Sequence, residues 1–443
     1  MSLRQTLRNP VVHRLLLATG FSNLATGIFF GVLPLTVATH GGGPFLIGVV
    51  AASLSAWWLL AIPLSVLVDR LGPGPLLRLV APLRVGSVLV IGSHAFLDGG
   101  WVYVPIVVGA LLFGLSDVLT DSASSTLPAL VLDESQYDDA YSLFSATARV
   151  AGLVVGPGAG AAMLAVDTGL PFAVVAASLA VSFACYARFF SHPGAAAAPR
   201  PRHPGGWSEL VAGVRHVVSD RFLTSVVITL VGVVIAAEVV ATVTAPYVRD
   251  GLASDAWAQV LGALRSTAGG FAIIAALSAG TLARRFGRLR VLRVVAAAAA
   301  LSPALMATGA QVPPVLAGLV VAAVGEAIWV PLVQGEMMRR TPAHLLARTR
   351  AAVLFVMWGS LPVTSLVGGT VSEAVGVRPS LLVAAAVALV TCSLGIWRPG
   401  LGTDGQPGGG AVEPRTTSSG LSRTSTGVAS ASSMSSSNRS AAR

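Results

Sequence analysis

Twelve long apolar runs dominate this sequence and limit what the chain can fold into. A helix needs about 20 mostly apolar residues to cross the hydrocarbon core of a bilayer. Each run is continuously apolar, whereas the strands of a membrane barrel alternate over about ten residues, so the runs predict helices. The predicted spans are residues 15–38, 45–67, 79–97, 101–122, 142–164, 169–189, 222–247, 256–281, 291–310, 313–335, 351–373 and 378–397.

The scarcity of charged residues supports a fold buried in lipid. Of 443 residues, 54% are hydrophobic and only 11% are charged. A soluble domain carries about 25% charged residues and uses them to cover its core with a polar surface. The chain is therefore predicted to be an all-α integral membrane protein in contact with the lipid bilayer.

Arginine is concentrated in every second connection between the predicted spans. The net charge is +10, and all 29 basic residues are Arg. Because cytoplasmic loops carry the excess of basic residues, this alternation predicts that both termini are cytoplasmic. It also accounts for the positive charge without nucleic acid as a partner. The absence of Lys, with abundant Ala, Gly and Val, is typical of GC-rich bacteria and predicts a bacterial plasma membrane.

A long connection divides the spans into two groups of six. We predict an N-terminal half (1–189), a cytoplasmic linker (190–221), a C-terminal half (222–400) and a tail (401–443). The tail is rich in Gly and then in Ser and Thr, which is typical of disordered segments. The pattern of residues 207–221 predicts a short amphipathic helix in the linker.

A short segment recurs after the second span of each group. Both copies resemble the G-x-L-A-D-R-x-G-R-[KR] signature of major facilitator transporters, and the resemblance covers all twelve spans. It implies two pseudo-symmetric six-helix bundles that rock around a central site. The first copy departs from the signature at Ser65, and the second has Arg284 where the first has Asp69. The residues of this predicted gating loop are Asp69, Arg70, Gly72, Arg284, Arg285 and Gly287.

Physical roles can be assigned to these loop residues. Gly72 and Gly287 permit a tight turn and a close backbone approach. Asp69 can meet the positive end of a helix across the domain interface, or an arginine such as Arg348. Such contacts would hold the cytoplasmic side shut. The alternative is that Asp69 and Arg70 only stabilise the loop.

The fifth span contains a run of small residues around a proline. It resembles the G-x-x-x-G-P-x-x-G-G signature of the exporter branches of the same superfamily, and the stretch 127–160 resembles macrolide-efflux and siderophore exporters. Small residues four apart allow close helix packing, and proline permits a bend. Ordinary packing is the alternative explanation. The motif residues are Gly152, Gly156, Pro157 and Gly160, with a looser counterpart at Gly359, Pro362, Gly368 and Gly369.

Ionisable residues inside spans are costly and indicate function or pairing. Glu238 and Glu326 lie mid-span, where a carboxyl can exchange protons or attract a cationic substrate. The alternative is a structural pair of either one with Arg265. Asn23 either lines the cavity or bonds to a neighbouring helix.

Two further charges are expected at similar depth near the inner face. We predict a structural ion pair between Asp117 and Arg149, with a cytoplasmic gate as the alternative. Arg84 is expected to extend towards the inner membrane surface. The arginine that drug–proton antiporters carry early in span 4 is missing here, where Val108–Gly114 is uncharged.

The sequence predicts a secondary transporter that works by alternating access. A proton-coupled exporter of a small amphipathic molecule is the main hypothesis, and an uptake permease or a non-transporting sensor or scaffold is the alternative. No P-loop, nucleophilic motif or metal-ligand spacing is present, so neither an enzyme nor a cofactor or metal site is predicted. The pattern does not indicate an oligomeric state.

Overall fold

The fold is known from a computed structural model that describes residues 10–124, 127, 137–190, 207–252 and 254–398. Regular structure in these ranges is entirely helical. The prediction for the tail (401–443) and most of the linker prediction (191–206) lie outside the described residues. The predicted linker helix is confirmed, because residues Trp207–Ser219 are helical.

Sixteen α-helices occur in the described residues. They are α1 Pro10–Thr39, α2 Pro44–Ser55, α3 Ala61–Leu71, α4 Pro73–Gly92, α5 Tyr103–Ser124, α6 Tyr137–Arg149, α7 Gly156–Val166, α8 Leu170–Phe190, α9 Trp207–Ser219, α10 Arg221–Leu252, α11 Trp257–Phe286, α12 Arg288–Ala307, α13 Val312–Arg340, α14 Ala343–Gly359, α15 Leu361–Val375 and α16 Val377–Leu394.

Eleven helical segments in the described part of the chain are long and apolar enough to cross a membrane. The predicted span 45–67 is not among them, because a 3₁₀ turn at Ala56–Leu60 separates α2 from α3. Pro63 has no amide hydrogen to donate to the carbonyl of Leu59, which favours an interruption at this place. The predicted count of twelve is therefore not confirmed.

The two ends of the bundle differ in charge. Arg14 Nη1 donates a hydrogen bond to the carbonyl oxygen of Arg188 at 3.4 Å and joins the start of α1 to the end of α8. At the same end, the guanidinium of Arg340 lies 4.3 Å from the ring centre of Phe222, at the start of α10. We call this the arginine-rich end. The opposite end is where α1 and α10 finish.

Most helix packing occurs within two sets of helices. Before residue 190, α1 packs on α7 and α8, and α4 packs on α5 and α8. After residue 221, α13 packs on α11 and α12, and α16 packs on α10 and α12. Two pairs make the main contacts between the sets, α2 with α15 and α7 with α11. The apolar core is thus crossed by two helix seams.

Candidate functional site

Glu238 occupies the middle of α10 and is held by a neighbouring helix. The hydroxyl of Ser365 on α15 donates a hydrogen bond to Oε2 of Glu238. Ser365 is buried, and Glu238 is half-buried. A carboxyl group with a single hydrogen-bond donor retains unused acceptor positions. It can therefore take up a proton or accept a hydrogen bond from a ligand.

Glu326 lies in the middle of α13 and faces the other set of helices. It has accessible surface, although protein atoms lie around it. It interacts electrostatically with Arg149, the last residue of α6. The two are not hydrogen-bonded to each other. Glu326 therefore combines accessible surface with a cation on the other set of helices.

The two glutamates lie at a similar depth. Glu238 and Glu326 are equally far, counted along α10 and α13, from the ends of those helices at Leu252 and Val312. Because every α-helical residue adds about 1.5 Å of rise, both carboxyls lie close to the middle of the bundle. This is the depth at which solute carriers of many folds bind substrates and coupling ions.

Arg265 is a cation in the membrane-spanning part of α11. It is half-buried and makes no ion pair or hydrogen bond with any residue that the structure describes. The alternative in which Glu238 or Glu326 serves as its structural partner is therefore not supported. Asn23 donates a hydrogen bond to the carbonyl of Thr19 one turn earlier in α1, at 2.9 Å. This bond is local, and the side-chain oxygen of Asn23 accepts no hydrogen bond from the residues that the structure describes.

Asp117 on α5 pairs with Arg84 on α4. Nη2 of Arg84 lies 2.6 Å from Oδ1 of Asp117 and also donates to Thr26 at 2.7 Å, while Nη1 donates to Ser22 at 3.3 Å. The guanidinium stacks over the ring of Phe113 at 4.9 Å. Three helices, α1, α4 and α5, thus meet at one arginine.

The predicted Asp117–Arg149 pair is therefore wrong. The helices α4 and α5 pack directly against each other, so Arg84 is the nearer cation, whereas Arg149 is directed towards Glu326 on α13. Arg84 also does not extend to the membrane surface, because it is buried with 5% exposure. The sequence did contain one indication of the Arg84–Asp117 pair, because these opposite charges lie in adjacent predicted spans.

The glycines of the fifth-span motif bring α1 and α7 into close contact. A Cβ atom added to Gly156 would lie 2.5 Å from the carbonyl carbon of Gly27, and one added to Gly160 would lie 2.6 Å from Cγ2 of Val32. A Cβ on Gly152 would meet the backbone of Asn23 at 3.5 Å. These three positions share one helix face, as residues four apart do.

Pro157 lies between α1 and α11, because a Cβ on Gly31 of α1 would also meet its Cα atom at 2.9 Å. Its carbonyl oxygen would lie 3.0 Å from a Cβ on Gly262 of α11, and a Cβ on Gly158 would meet Ser266 at 2.6 Å. A π-helical turn, Val150–Val155, precedes the proline, whose missing amide hydrogen weakens the regular bonding pattern there. The motif therefore packs α7 between α1 and α11 and ends α6 at Arg149.

The α2–α15 seam uses small residues in a related way. A Cβ on Gly369 would lie 2.6 Å from the carbonyl oxygen of Pro44, and one on Gly48 would lie 2.5 Å from that of Ser365. Gly368 faces α10 instead, where its Cβ would meet Val239 at 3.1 Å. Ser365, the partner of Glu238, is thus fixed by the seam between the two sets of helices.

Both helices of this seam are broken at matching places. The turn Ala56–Leu60 interrupts the path from α2 to α3, and α14 ends at Gly359 before α15 begins. Trp58 and Trp358 stack on each other at these breaks, with ring centres 5.1 Å apart and planes at 23°. An aromatic stack of this geometry joins the two sets of helices at the breaks.

The two copies of the repeated loop have the same backbone conformation. Gly72 has φ 77° and Gly287 has φ 85°, both in the region that favours glycine. No atom lies within 4 Å of a Cβ added to either residue, so the predicted close backbone approach is not present. The requirement for glycine is conformational.

Arg284 and Arg285 of the second loop make local contacts. Arg284 donates to the hydroxyl of Thr281 at 3.1 Å, and Arg285 lies over the ring of Phe286. Arg70 is exposed, and the side chain of Asp69 lies outside the described residues. The gating role of these residues stays a prediction.

Sequence reasoning missed Glu336, near the end of α13. It pairs with Arg288 at 3.1 Å, with Arg340 at 2.7 Å and with Arg339. Arg288 follows Gly287 directly, so Glu336 ties the second loop to α13. The sequence could have indicated two of these pairs, because Glu336 lies three and four residues before Arg339 and Arg340, and residues at this spacing are neighbours on a helix.

At the opposite end, α1 and α2 are held by residues of the second set. Nη1 of Arg249 donates to the carbonyl oxygen of Ala38 at 2.6 Å, near the end of α1. A carboxylate oxygen of Glu373 accepts from the amide of Phe45 at 3.4 Å, at the start of α2. Each charge complements the helix dipole that it meets. The described residues contain no group of three or more His, Cys, Asp or Glu that could hold a metal ion.

Comparison with known proteins identifies the architecture. Residues 15–363 match the family model described as Major Facilitator Superfamily. No curated protein matched the sequence. Among solved structures, the nucleoside transporter NupG aligns with a TM-score of 0.64 and 14% identity, covering 87% of this chain and 98% of that one.

Two further structures share this fold at low identity. A POT family transporter in complex with 5-aminolevulinic acid aligns with a TM-score of 0.66 and 13% identity, over 86% of this chain and 94% of that one. A bacterial homologue of the iron transporter ferroportin in an inward-facing state aligns with 0.59 and 13%, over 86% and 98%. These similarities concern the fold alone.

Proposed function

The chain belongs to the Major Facilitator Superfamily, and we propose that it is a proton-coupled exporter of a small amphipathic molecule that works by alternating access. The observation that carries this proposal is Glu326, a carboxylate in the middle of the bundle that is exposed and faces Arg149 on the other set of helices. An accessible charge at this depth indicates a ligand or ion pathway.

The proposed membrane arrangement contains twelve spans in two six-helix halves. The broken path α2, Ala56–Leu60 and α3 supplies the span that complements the eleven long apolar segments. Residues up to 189 form one half and residues 222–400 the other, supported by helix packing that occurs mainly within these ranges. The arginine-rich end is cytoplasmic by the positive-inside rule, in the plasma membrane of a bacterium.

The distribution of contacts between the halves supports an inward-facing state. The seams α2–α15 and α7–α11 lie towards the opposite end, where Glu373 and Arg249 also connect the halves. Towards the arginine-rich end, α3 packs mainly on α4 and α5, and α6 packs mainly on α1, all within the first half. The central cavity would therefore open to the cytoplasm, where an exporter collects its substrate.

Glu238 and Glu326 are the proposed sites of proton coupling. Each lies at mid-depth, and each retains acceptor positions that described residues do not occupy. Proton binding removes a negative charge in a low-dielectric setting and so changes the attraction between Glu326 and Arg149. A substrate and a proton that need the same carboxylate would be exchanged in opposite directions.

Arg149 and Arg265 are the proposed cationic contacts for the polar part of the substrate. Neither makes an ion pair or hydrogen bond with a described residue. The remaining cavity surface is supplied by apolar spans, which suits an amphipathic molecule. Asn23 is a further candidate because its side-chain oxygen has no hydrogen-bond donor among the described residues.

Compound accumulation in efflux-deficient cells tests this function. We expect cells that express the protein to accumulate less of at least one compound from a panel of drugs and metabolites. A protonophore should abolish the difference, because it removes the driving force. Cells that express the Glu238→Gln and Glu326→Gln double variant should accumulate as much as empty cells. Equal accumulation with and without the protein across the panel would contradict export.

A further inference from the structure

Arg84 forms a polar centre that the proposed coupling through Glu238 and Glu326 does not use. Its side chain is 6% exposed, yet it is surrounded by donors and acceptors from several helices. Asp117 and Thr26 accept from Nη2, and Ser22 accepts from Nη1, while Nε has no partner among the described residues. A buried arginine is retained only where such partners compensate its desolvation.

Two carboxylates share this single cation. Asp121 lies one turn after Asp117 on α5, and each interacts electrostatically with Arg84 and with the other. The Asp117 side chain is 24% exposed, and Asp121 is exposed. With both carboxylates ionised, the cluster carries one negative charge in excess. One bound proton would neutralise the cluster.

Other titratable groups near the cluster are few. Helix α1 contributes only hydroxyls, those of Ser22 and Thr26. Helix α8 contributes Tyr186, which interacts electrostatically with Arg84 and Asp121. Arg78 of α4 and Arg70 of α3 are exposed. Among the described residues, the exchangeable proton therefore belongs to the two aspartates.

The cluster is reachable from the arginine-rich end. Asp121 and Asp117 lie about one and two turns from Ser124, where α5 ends at that side. A small pocket adjoins Arg84 and reaches Tyr186, near the end of α8. Because Asp121 is itself exposed, a proton or water molecule can approach it without crossing the central cavity.

The cluster also contacts α1, the helix that packs on α7 of the α7–α11 seam. Thr26, which accepts from Arg84, directly precedes Gly27, whose backbone packs on Gly156. Helix α7 in turn packs on α11 of the second half. A change in the hydrogen-bond partners of Arg84 would therefore alter how α1 packs against α7.

We propose that Arg84, Asp117 and Asp121 form a second proton-exchange site in the N-terminal half, separate from Glu238 and Glu326. When the site binds a proton, one aspartate becomes neutral, and Arg84 keeps the other as its counter-ion. The proposal rests on the proposed function for its role in transport, but the protonation step itself can be measured without transport.

Infrared difference spectroscopy of the purified full-length protein tests the site. The carbonyl stretch of protonated carboxyl groups is followed from acidic to alkaline pH for the wild type and variants. We expect Asp117→Asn or Asp121→Asn to remove one titrating carboxyl band that remains in the Glu238→Gln and Glu326→Gln double variant. Asp167→Asn is the matched control, because Asp167 is exposed and only caps the turn at Gly169.

The outcomes separate this site from the proposed function. An unchanged band in both aspartate variants, or a band lost only in the glutamate double variant, would overturn the proposal. If the Asp117→Asn variant does not fold, the Asp121→Asn variant provides the test. Because Asp121 is exposed, an asparagine at this position should not prevent folding. Failure of the export assay would leave the infrared result interpretable, because it requires no substrate.

Discussion

Arg249 donates a hydrogen bond from Nη1 to the carbonyl oxygen of Ala38 at 2.6 Å, which joins the end of α10 to the end of α1. The bond is charge-assisted and meets the negative end of a helix dipole. Under the proposed arrangement it lies on the extracellular side, so it stabilises the state that is closed there.

Removal of this contact should open the opposite end. A charge-assisted hydrogen bond contributes about 1.5–3 kcal/mol, so Arg249→Ala should raise the outward-open population roughly tenfold or more. The measurement is labelling, by a membrane-impermeant thiol reagent, of a cysteine introduced at Asn23 in a variant without Cys185 and Cys392. Arg378→Ala is the matched control, since Arg378 is exposed at the same end. Equal labelling of both variants would refute the gate.

Loss of Glu238 or Glu326 should uncouple transport from protons. Gln keeps the size of each side chain and removes its ability to release a proton. We expect Glu238→Gln and Glu326→Gln each to abolish uphill export, while exchange of labelled for unlabelled substrate continues. Asp98→Asn, at an exposed carboxylate, is the control. Full proton-driven activity in both glutamine variants would sink the coupling assignment.

Gly156 should not tolerate a side chain. A Cβ there would lie 2.5 Å from backbone carbon of Gly27, and neither backbone can move away without displacing its helix. Overpacking of this kind costs about 1–3 kcal/mol, so Gly156→Ala should lower the melting temperature in detergent. Gly86→Ala is the control, because nothing lies within 4 Å of its Cβ. A melting temperature equal to that of the control would show that the seam can relax.

The repeated loops should respond alike to alanine. Gly72 and Gly287 both have positive φ, which costs a residue with a side chain about 1–2 kcal/mol. Gly72→Ala and Gly287→Ala should therefore each reduce stability by a similar amount in chemical unfolding. Gly270→Ala, in open space within α11, should be neutral or stabilising. A loss confined to one loop would argue against equivalent conformations.

Hydropathy predicted the helices well because each span must satisfy its own backbone hydrogen bonds in lipid. The prediction for span 2 was less accurate, since the apolar run 45–67 does not show that Pro63 and the turn at Ala56–Leu60 interrupt the helix. The linker helix was predictable from its amphipathic pattern, which buries Val217 and leaves Val218 exposed.

Side-chain pairing was not predictable from depth alone. Asp117 and Arg149 lie at comparable depth, but pairing depends on which helices are neighbours and which faces they present. Arg84 reaches Asp117 because α4 packs on α5. Glu336 was overlooked because a glutamate at the end of a helix is ordinarily expected to face solvent. In the structure it pairs with three arginines.

Transport in everted membrane vesicles tests the central claim most directly. The vesicles expose the arginine-rich face, and a compound identified by the accumulation screen is added outside while the interior is made acidic. We predict that the wild type accumulates the compound above its external concentration until a protonophore is added. The Glu238→Gln and Glu326→Gln double variant should only equilibrate it. Equal uphill accumulation by the double variant, or no accumulation by the wild type, would contradict proton-coupled export.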